Sequence, residues 1–138
     1  MKRRWIFPVA IGLLGLALGL GLGTAIGQQA PPTETKGLKT PMTVAIDLGP
    51  EIQGLQGWQL RMRVLELEPG GVIALHSHKD RPATAYVLSG AITERREGGY
   101  VKEHPEGDRW SEGKETTHWA ENKGTKPVVL LVADVLKP

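Results

Sequence analysis

From Met42 to Val135 apolar and polar residues alternate in short runs, each closed by glycine, proline or a charged turn. The pattern predicts strands over residues 43–48, 58–68, 72–78, 83–88, 91–96, 100–104, 118–121 and 128–135. Turns are expected at Pro50, Gly54, Pro69-Gly70-Gly71, 79–82, Gly90, Gly98-Gly99, 105–107 and 123–127. No window after residue 40 carries the periodicity of an amphipathic helix. Many short strands at even spacing predict an all-β antiparallel sandwich or barrel.

The first 41 residues differ in kind. Lys2, Arg3 and Arg4 precede an uncharged run over residues 5–26, which reads as one hydrophobic helix. A Pro-, Thr-, Gln- and Lys-containing polar linker follows over 28–41, without periodicity. A basic start, an apolar run and small residues at Ala25 and Gly27 fit a secretory signal cut after Gly27. The run also approaches the roughly 20 residues that span a bilayer. Gly15, Gly19, Gly23 and Gly27 recur at the spacing that lets membrane helices approach, so an uncleaved anchor fits as well. Arg3-Arg4-Trp5-Ile6-Phe7 is in addition a partial twin-arginine pattern. Each reading keeps the basic end in the cytoplasm and carries the domain across. The expected organisation is therefore a signal peptide or transmembrane anchor (1–27), a linker (28–41) and an exported domain (42–138). That domain is periplasmic or otherwise extracytoplasmic, either released or tethered through residues 5–26.

Composition narrows the chemistry. The chain of 138 residues has no cysteine, which excludes disulfides, thiolate metal sites and a cysteine nucleophile. The pI near 9.0 looks basic. Removing the three leader cations from 17 basic residues, however, leaves 14 against 15 acidic ones. The domain is near neutral and lacks a lysine-rich stripe, so no nucleic acid is expected as partner.

The candidate chemistry lies in histidines. His76 and His78 are two apart on a predicted strand, so both side chains leave the same face. His118, on a later strand, can complete a facial set of three imidazoles for a divalent Fe, Mn, Ni, Cu or Zn ion. Gly70, His76, His78 and Gly90 fall on the pattern G-x5-H-x-H-x4-E-x6-G, and Tyr86-Val87-Leu88-Ser89-Gly90 supplies a fitting strand-and-turn ending. Gly107, His118 and Asn122 fall on G-x5-P-x-G-x2-H-x3-N. Over roughly residues 60–134 the chain thus resembles the cupin superfamily. Ala83, Gly113 and Glu115 depart, standing in place of the ligand glutamate, the proline and the second glycine.

The resemblance implies a small single-domain jelly-roll barrel, a metal held by His76, His78 and His118, and a homodimer. It implies a small-molecule ligand and metal-dependent, dioxygenase- or isomerase-like chemistry. The alternatives are a non-catalytic metal- or ligand-binding module, or an accessory dimer with a vestigial site. With Ala83 in the glutamate's place, Asp80, Glu115 or water are candidates for the fourth position. No catalytic residue is singled out.

Other residues have plainer expectations. His104, before a turn, is expected at an exposed strand end, and Asn122 on the backbone of the following turn. Tyr86 and Trp119 should face away from the histidines, and Trp110 should lie near the mouth. Arg61 and Arg63 share a strand face, either solvated or turned inward to hold an anion. Glu94-Arg95-Arg96-Glu97 reads as a charged hairpin.

Overall fold

A computed structural model describes residues 29–138. The expected signal peptide or anchor over residues 1–27 lies outside the described residues. Within them no helix is long and apolar enough to cross a membrane. The strands are β1 (Lys36–Asp47), β2 (Gln59–Ser77), β3 (Ala83–Ser89), β4 (Ala91–Arg96), β5 (Val101–Pro105), β6 (Arg109–Glu112), β7 (Thr117–Glu121) and β8 (Val128–Leu136). One turn of 3-10 helix, Glu97–Gly99, joins β4 to β5.

All pairings are antiparallel, in the order β5-β4-β7-β2-β8-β3-β6, with β1 added along β2. The turn between β5 and β6 returns to β3 through Val87 N–H donating to Asp108 O and Gly107 N–H donating to Val87 O. The sheet therefore curls into a nearly closed barrel, the expected small jelly roll.

The alternation holds. In β3 Ala83, Ala85 and Val87 are buried while Thr84, Tyr86 and Leu88 are exposed. In β8 Val128, Leu130, Val132 and Asp134 are the buried set. Joined by Leu65, Leu67, Ile92 and Ala120, the apolar members form one core inside the barrel.

Three details correct the sequence-based expectation. β1 begins at Lys36, ahead of Met42, because the polar segment is pinned to β2: Leu75 N–H donates to Pro32 O and Ala74 N–H to Thr35 Oγ1. Pro69-Gly70-Gly71 does not end a strand but bends one within β2. Gly70 takes φ 72°, and a Cβ on Gly71 would lie 2.8 Å from both Glu68 O and Leu67 Cδ1, so glycine keeps the strand continuous there. The bend lets the first half of β2 pair with β8 and the second half with β7. Finally, β6 was not expected. It is a four-residue strand that pairs with β3.

Candidate metal centre

The antiparallel register builds the site. His76 on β2 is the direct partner of His118 on β7. His78, just past the end of β2, is held by its N–H donating to Thr116 O at 2.9 Å. The three Nε2 atoms form an equilateral triangle: His76 to His78, His78 to His118 and His118 to His76 are each 3.1 Å. With nitrogens ~2.1 Å from a shared ion, an edge of this length subtends about 95°, nearer the ~90° of an octahedral face than the ~109° of a tetrahedron.

The outer nitrogens fix which atoms converge. Nδ1 of His76 lies 2.8 Å from Ala74 O, Nδ1 of His78 2.9 Å from Arg81 O, and Nδ1 of His118 2.9 Å from Glu94 Oε1. Every partner is an acceptor, so each Nδ1 carries the hydrogen and each neutral ring turns an Nε2 lone pair inward. Three lone pairs with no hydrogen between them repel one another, and a cation at their centre relieves the repulsion. The donor set fits a divalent metal. Burial first, with like-charged neighbours adding, pulls His76 down to about 4, and burial likewise lowers His78. The ligating, unprotonated form is thereby favoured.

Behind His118 stands a buried network that the sequence did not reveal. Glu94 lies on the inward face of β4 with Ile92, not on a charged hairpin surface. It accepts from His118 Nδ1, from Arg96 Nε at 2.8 Å, and from His104 Nε2 at 3.1 Å. Burial opposes ionisation of Glu94, but these three donors outweigh it and hold its carboxyl at about 2. His104 is 0% exposed, so the strand-end expectation fails for it. Its other nitrogen meets Asp108 Oδ2 at 2.9 Å, and its ring stacks on Trp110 with centroids 3.8 Å apart. Trp110 Nε1 in turn donates to Glu112 Oε1 at 2.8 Å. Glu112, from β6, returns to the histidines, with Oε2 3.2 Å from His78 Nε2 and Oε1 3.4 Å from His118 Nε2. The chain of contacts closes into a ring. The signal for Glu94 was present in its i, i+2 spacing from Ile92; β6 left almost none.

The other candidates fall elsewhere. Asp80 and Glu115 are exposed, with Glu115 beside Lys114. Ala83 is buried and faces inward as the motif alignment requires. Arg61 and Arg63 turn toward buried Asp134: Arg61 binds it through two bonds of 3.0 and 2.8 Å, and Arg63 through one of 3.0 Å. Arg81 approaches at 3.9 Å. Asn122 is structural as expected, donating to Leu67 O and Lys126 O and accepting from Gly124 N–H.

The histidines open on a cavity of about 270 Å³, with Arg63, Arg81 and Glu112 in its polar wall and Leu65, Ile73, Ala85 and Leu130 in its apolar one. A larger cavity, about 750 Å³, lies beneath Gln29–Pro31 and is lined by Trp119 and residues 95–101, with no histidine in its wall. The three histidines line the smaller one.

An eight-stranded barrel carrying three convergent imidazoles defines a jelly roll with a candidate metal site. The chain belongs to the cupins: the family model described as "Cupin domain" matches residues 63–134. Among solved structures it is similar to a conserved protein with a double-stranded β-helix domain from Klebsiella pneumoniae. That match has 28% identity and a TM-score of 0.50, over 56% of this chain and 67% of that one. It also resembles a predicted oxalate decarboxylase from Thermotoga maritima at 20% identity and a TM-score of 0.50, over 69% and 92% of the two chains. A third relative, a cupin-superfamily sugar phosphate isomerase from Silicibacter pomeroyi, matches at 21% identity and a TM-score of 0.50, over 70% and 60%. At such identities the last two speak for the fold alone. No curated protein matches the chain.

Proposed function

We propose that this chain is an exported cupin that binds a divalent metal through His76, His78 and His118 and acts on a small anionic molecule. The reaction class is dioxygenase- or isomerase-like. The observation that carries the metal is the 3.1 Å triangle of Nε2 atoms whose Nδ1 hydrogens are all committed elsewhere. A divalent ion there would supply Lewis acidity toward an oxygen ligand of the substrate. The chain's own residues do the rest. Glu94 fixes the ring of His118, and the apolar wall excludes water. Arg63 and Arg81 offer guanidinium hydrogens to an anion beside the histidines. Arg63 Nε is buried without a hydrogen-bond partner among the described residues, a donor that a bound carboxylate or phosphate oxygen would satisfy.

The test is metal analysis of protein recovered from its export compartment. About one divalent ion per chain is expected, lost in His78→Ala. Metal-free protein that also fails to take up added metal would end the reading. Small carboxylates should then protect the metal-loaded protein against heat, and Arg63→Gln should remove that protection. A non-catalytic receptor is the second reading. The observation on its side is that, apart from Glu112, no carboxylate among the described residues lines the cavity to move a proton. Turnover of any ligand found by thermal shift separates the two.

Export and dimerisation belong to the same proposal. A cytoplasm-only reporter fused after Pro138 should stay silent; a strong signal would reverse the assignment. Met42, Val44, Ile46, Leu60 and Met62 give the β1–β2 surface an exposed apolar stripe suited to a second copy. Sedimentation showing a monomer at all concentrations would remove the dimer.

A further inference from the structure

Ala83 leaves the first motif one carboxylate short, and the barrel has a carboxylate one strand away. On β3, Ala83 is the direct Cα partner of Glu112 on β6. Directly paired residues point to the same face with Cβ atoms roughly 5 Å apart. Both side chains are therefore inside the barrel, and a glutamate reaching inward from position 112 can cover the point one from position 83 would serve.

Glu112 does reach it. Its two oxygens sit 3.2 Å from His78 Nε2 and 3.4 Å from His118 Nε2. Those nitrogens present lone pairs, because their hydrogens are on Nδ1 and bonded to Arg81 O and to Glu94. A carboxylate oxygen packed against an imidazole lone pair is repulsive unless a cation lies between them. Spacings just above 3 Å are those of neighbouring ligands on one ion, the same as among the histidines themselves.

The burial of Glu112 agrees. Its side chain is 7% exposed, yet its neutral hydrogen-bond donor is Trp110 Nε1, and no lysine or arginine pairs with it among the described residues. A buried carboxylate without a permanent counter-charge is costly. Trp110, braced against His104, aims the carboxylate at the histidines.

We propose that Glu112, brought in by β6, is the fourth, anionic ligand of the metal, filling from the neighbouring strand the role that the motif gives to position 83. The inference rests on the metal reading above. It makes the centre a rearranged three-histidine, one-carboxylate site, and Ala83 becomes the small residue that leaves Glu112 room. A glutamate restored at 83 alone would crowd Glu112 and compete with it.

Cobalt(II) is the probe, since its visible spectrum reports ligand number and type without any substrate. Three full-length proteins are compared: the wild type, Glu112→Gln, and the exchange Ala83→Glu with Glu112→Ala. The amide in Glu112→Gln keeps the Trp110 bond, and unchanged circular dichroism verifies its fold. We expect it to bind cobalt about 100-fold or more weakly, at or beyond the top of the range for residues that support a metal, with an altered spectrum. The exchange should regain most of the affinity, because it returns one carboxylate to the same space. Glu112→Gln that binds within a few-fold of wild type with an unchanged spectrum overturns the role of Glu112 and leaves the histidine centre standing. A wild type that takes up no cobalt overturns both.

Discussion

Ala83 has a buried carboxylate on either side, Glu112 across the ladder to β6 and Asp134 across the ladder to β8. The two share a face, a chemistry and near-total burial, but their surroundings are opposite. Asp134, with a side chain 1% exposed, faces the guanidiniums of Arg61, Arg63 and Arg81. Burial would raise its carboxyl, but the hydrogen bond from Arg61 and the charges of Arg63, Arg61 and Arg81 outweigh that and hold it below the usual range. Glu112 has an indole N–H and imidazole lone pairs. One carboxylate carries its cations within the chain, so it belongs to the fold. The other faces donors that share its need for a cation, so it belongs to a site completed from outside. Burial alone does not separate structural from functional charge; the permanence of the counter-charge does.

The largest effect expected from this contrast is that of Asp134→Ala. It leaves three guanidiniums facing one another, two of them largely buried, and should cost about 3–5 kcal/mol. The loss should be the same with and without metal, as read by urea denaturation. A loss below about 1 kcal/mol would mean that Asp134 is no more a fold element than Glu112 is.

Acid should come next. His76 in the metal-free protein is lowered to about 4 and favours its neutral form, so its contribution is present above about pH 6.5 and fades as pH falls toward 4. Glu94 is lowered to about 2, so its contribution is present above about pH 4.3 and lost as pH falls toward 2. The carboxylate step is worth roughly 3 kcal/mol. Denaturation of the metal-free protein at stepped pH should show both declines. Bound metal should raise stability throughout and carry the upper decline to lower pH, because a ligated nitrogen takes up no proton until the metal is released. Stability independent of pH between 7 and 3 would contradict both assignments.

The smallest effect is the sharpest contrast with Asp134. In metal-free protein Glu112→Gln should leave stability unchanged or raise it by up to about 1 kcal/mol. It keeps a partner for Trp110 and removes a charge that no lysine or arginine pairs with among the described residues. A loss comparable to that of Asp134→Ala, seen in the same urea titrations, would make Glu112 a structural residue.

Much of the fold was legible because strand alternation is a local property. The inward sets 83/85/87 and 128/130/132 appear in the sequence as apolar residues two apart, and seven of the eight strands left that trace. The i, i+2 pair at 76 and 78 was legible for the same reason. β6 was not, since Arg-Trp-Ser-Glu has one apolar residue and gains its strand character from pairing with β3. Nor did Pro69-Gly70-Gly71 read as a bend within one strand, because a glycine pair looks the same whether a chain turns back or merely kinks. His104 and Glu94 were misplaced outward, because a lone charged residue in a short strand is usually solvated. Their burial depends on each other and on Arg96, Asp108 and His118.

By itself, then, the sequence determined the all-β class, the inward faces of the strands and the histidine pair with its distant third member. All of these follow from a period of two along the backbone and from motif spacing. It also determined that position 83 carries no ligand. Only the tertiary structure decided what stands beside that gap. The antiparallel register sets Glu112 on one side of Ala83 and Asp134 on the other, and it sets His104 and Trp110 behind the site. Register joins residues far apart in the chain, and no local pattern records which strand will lie next to which.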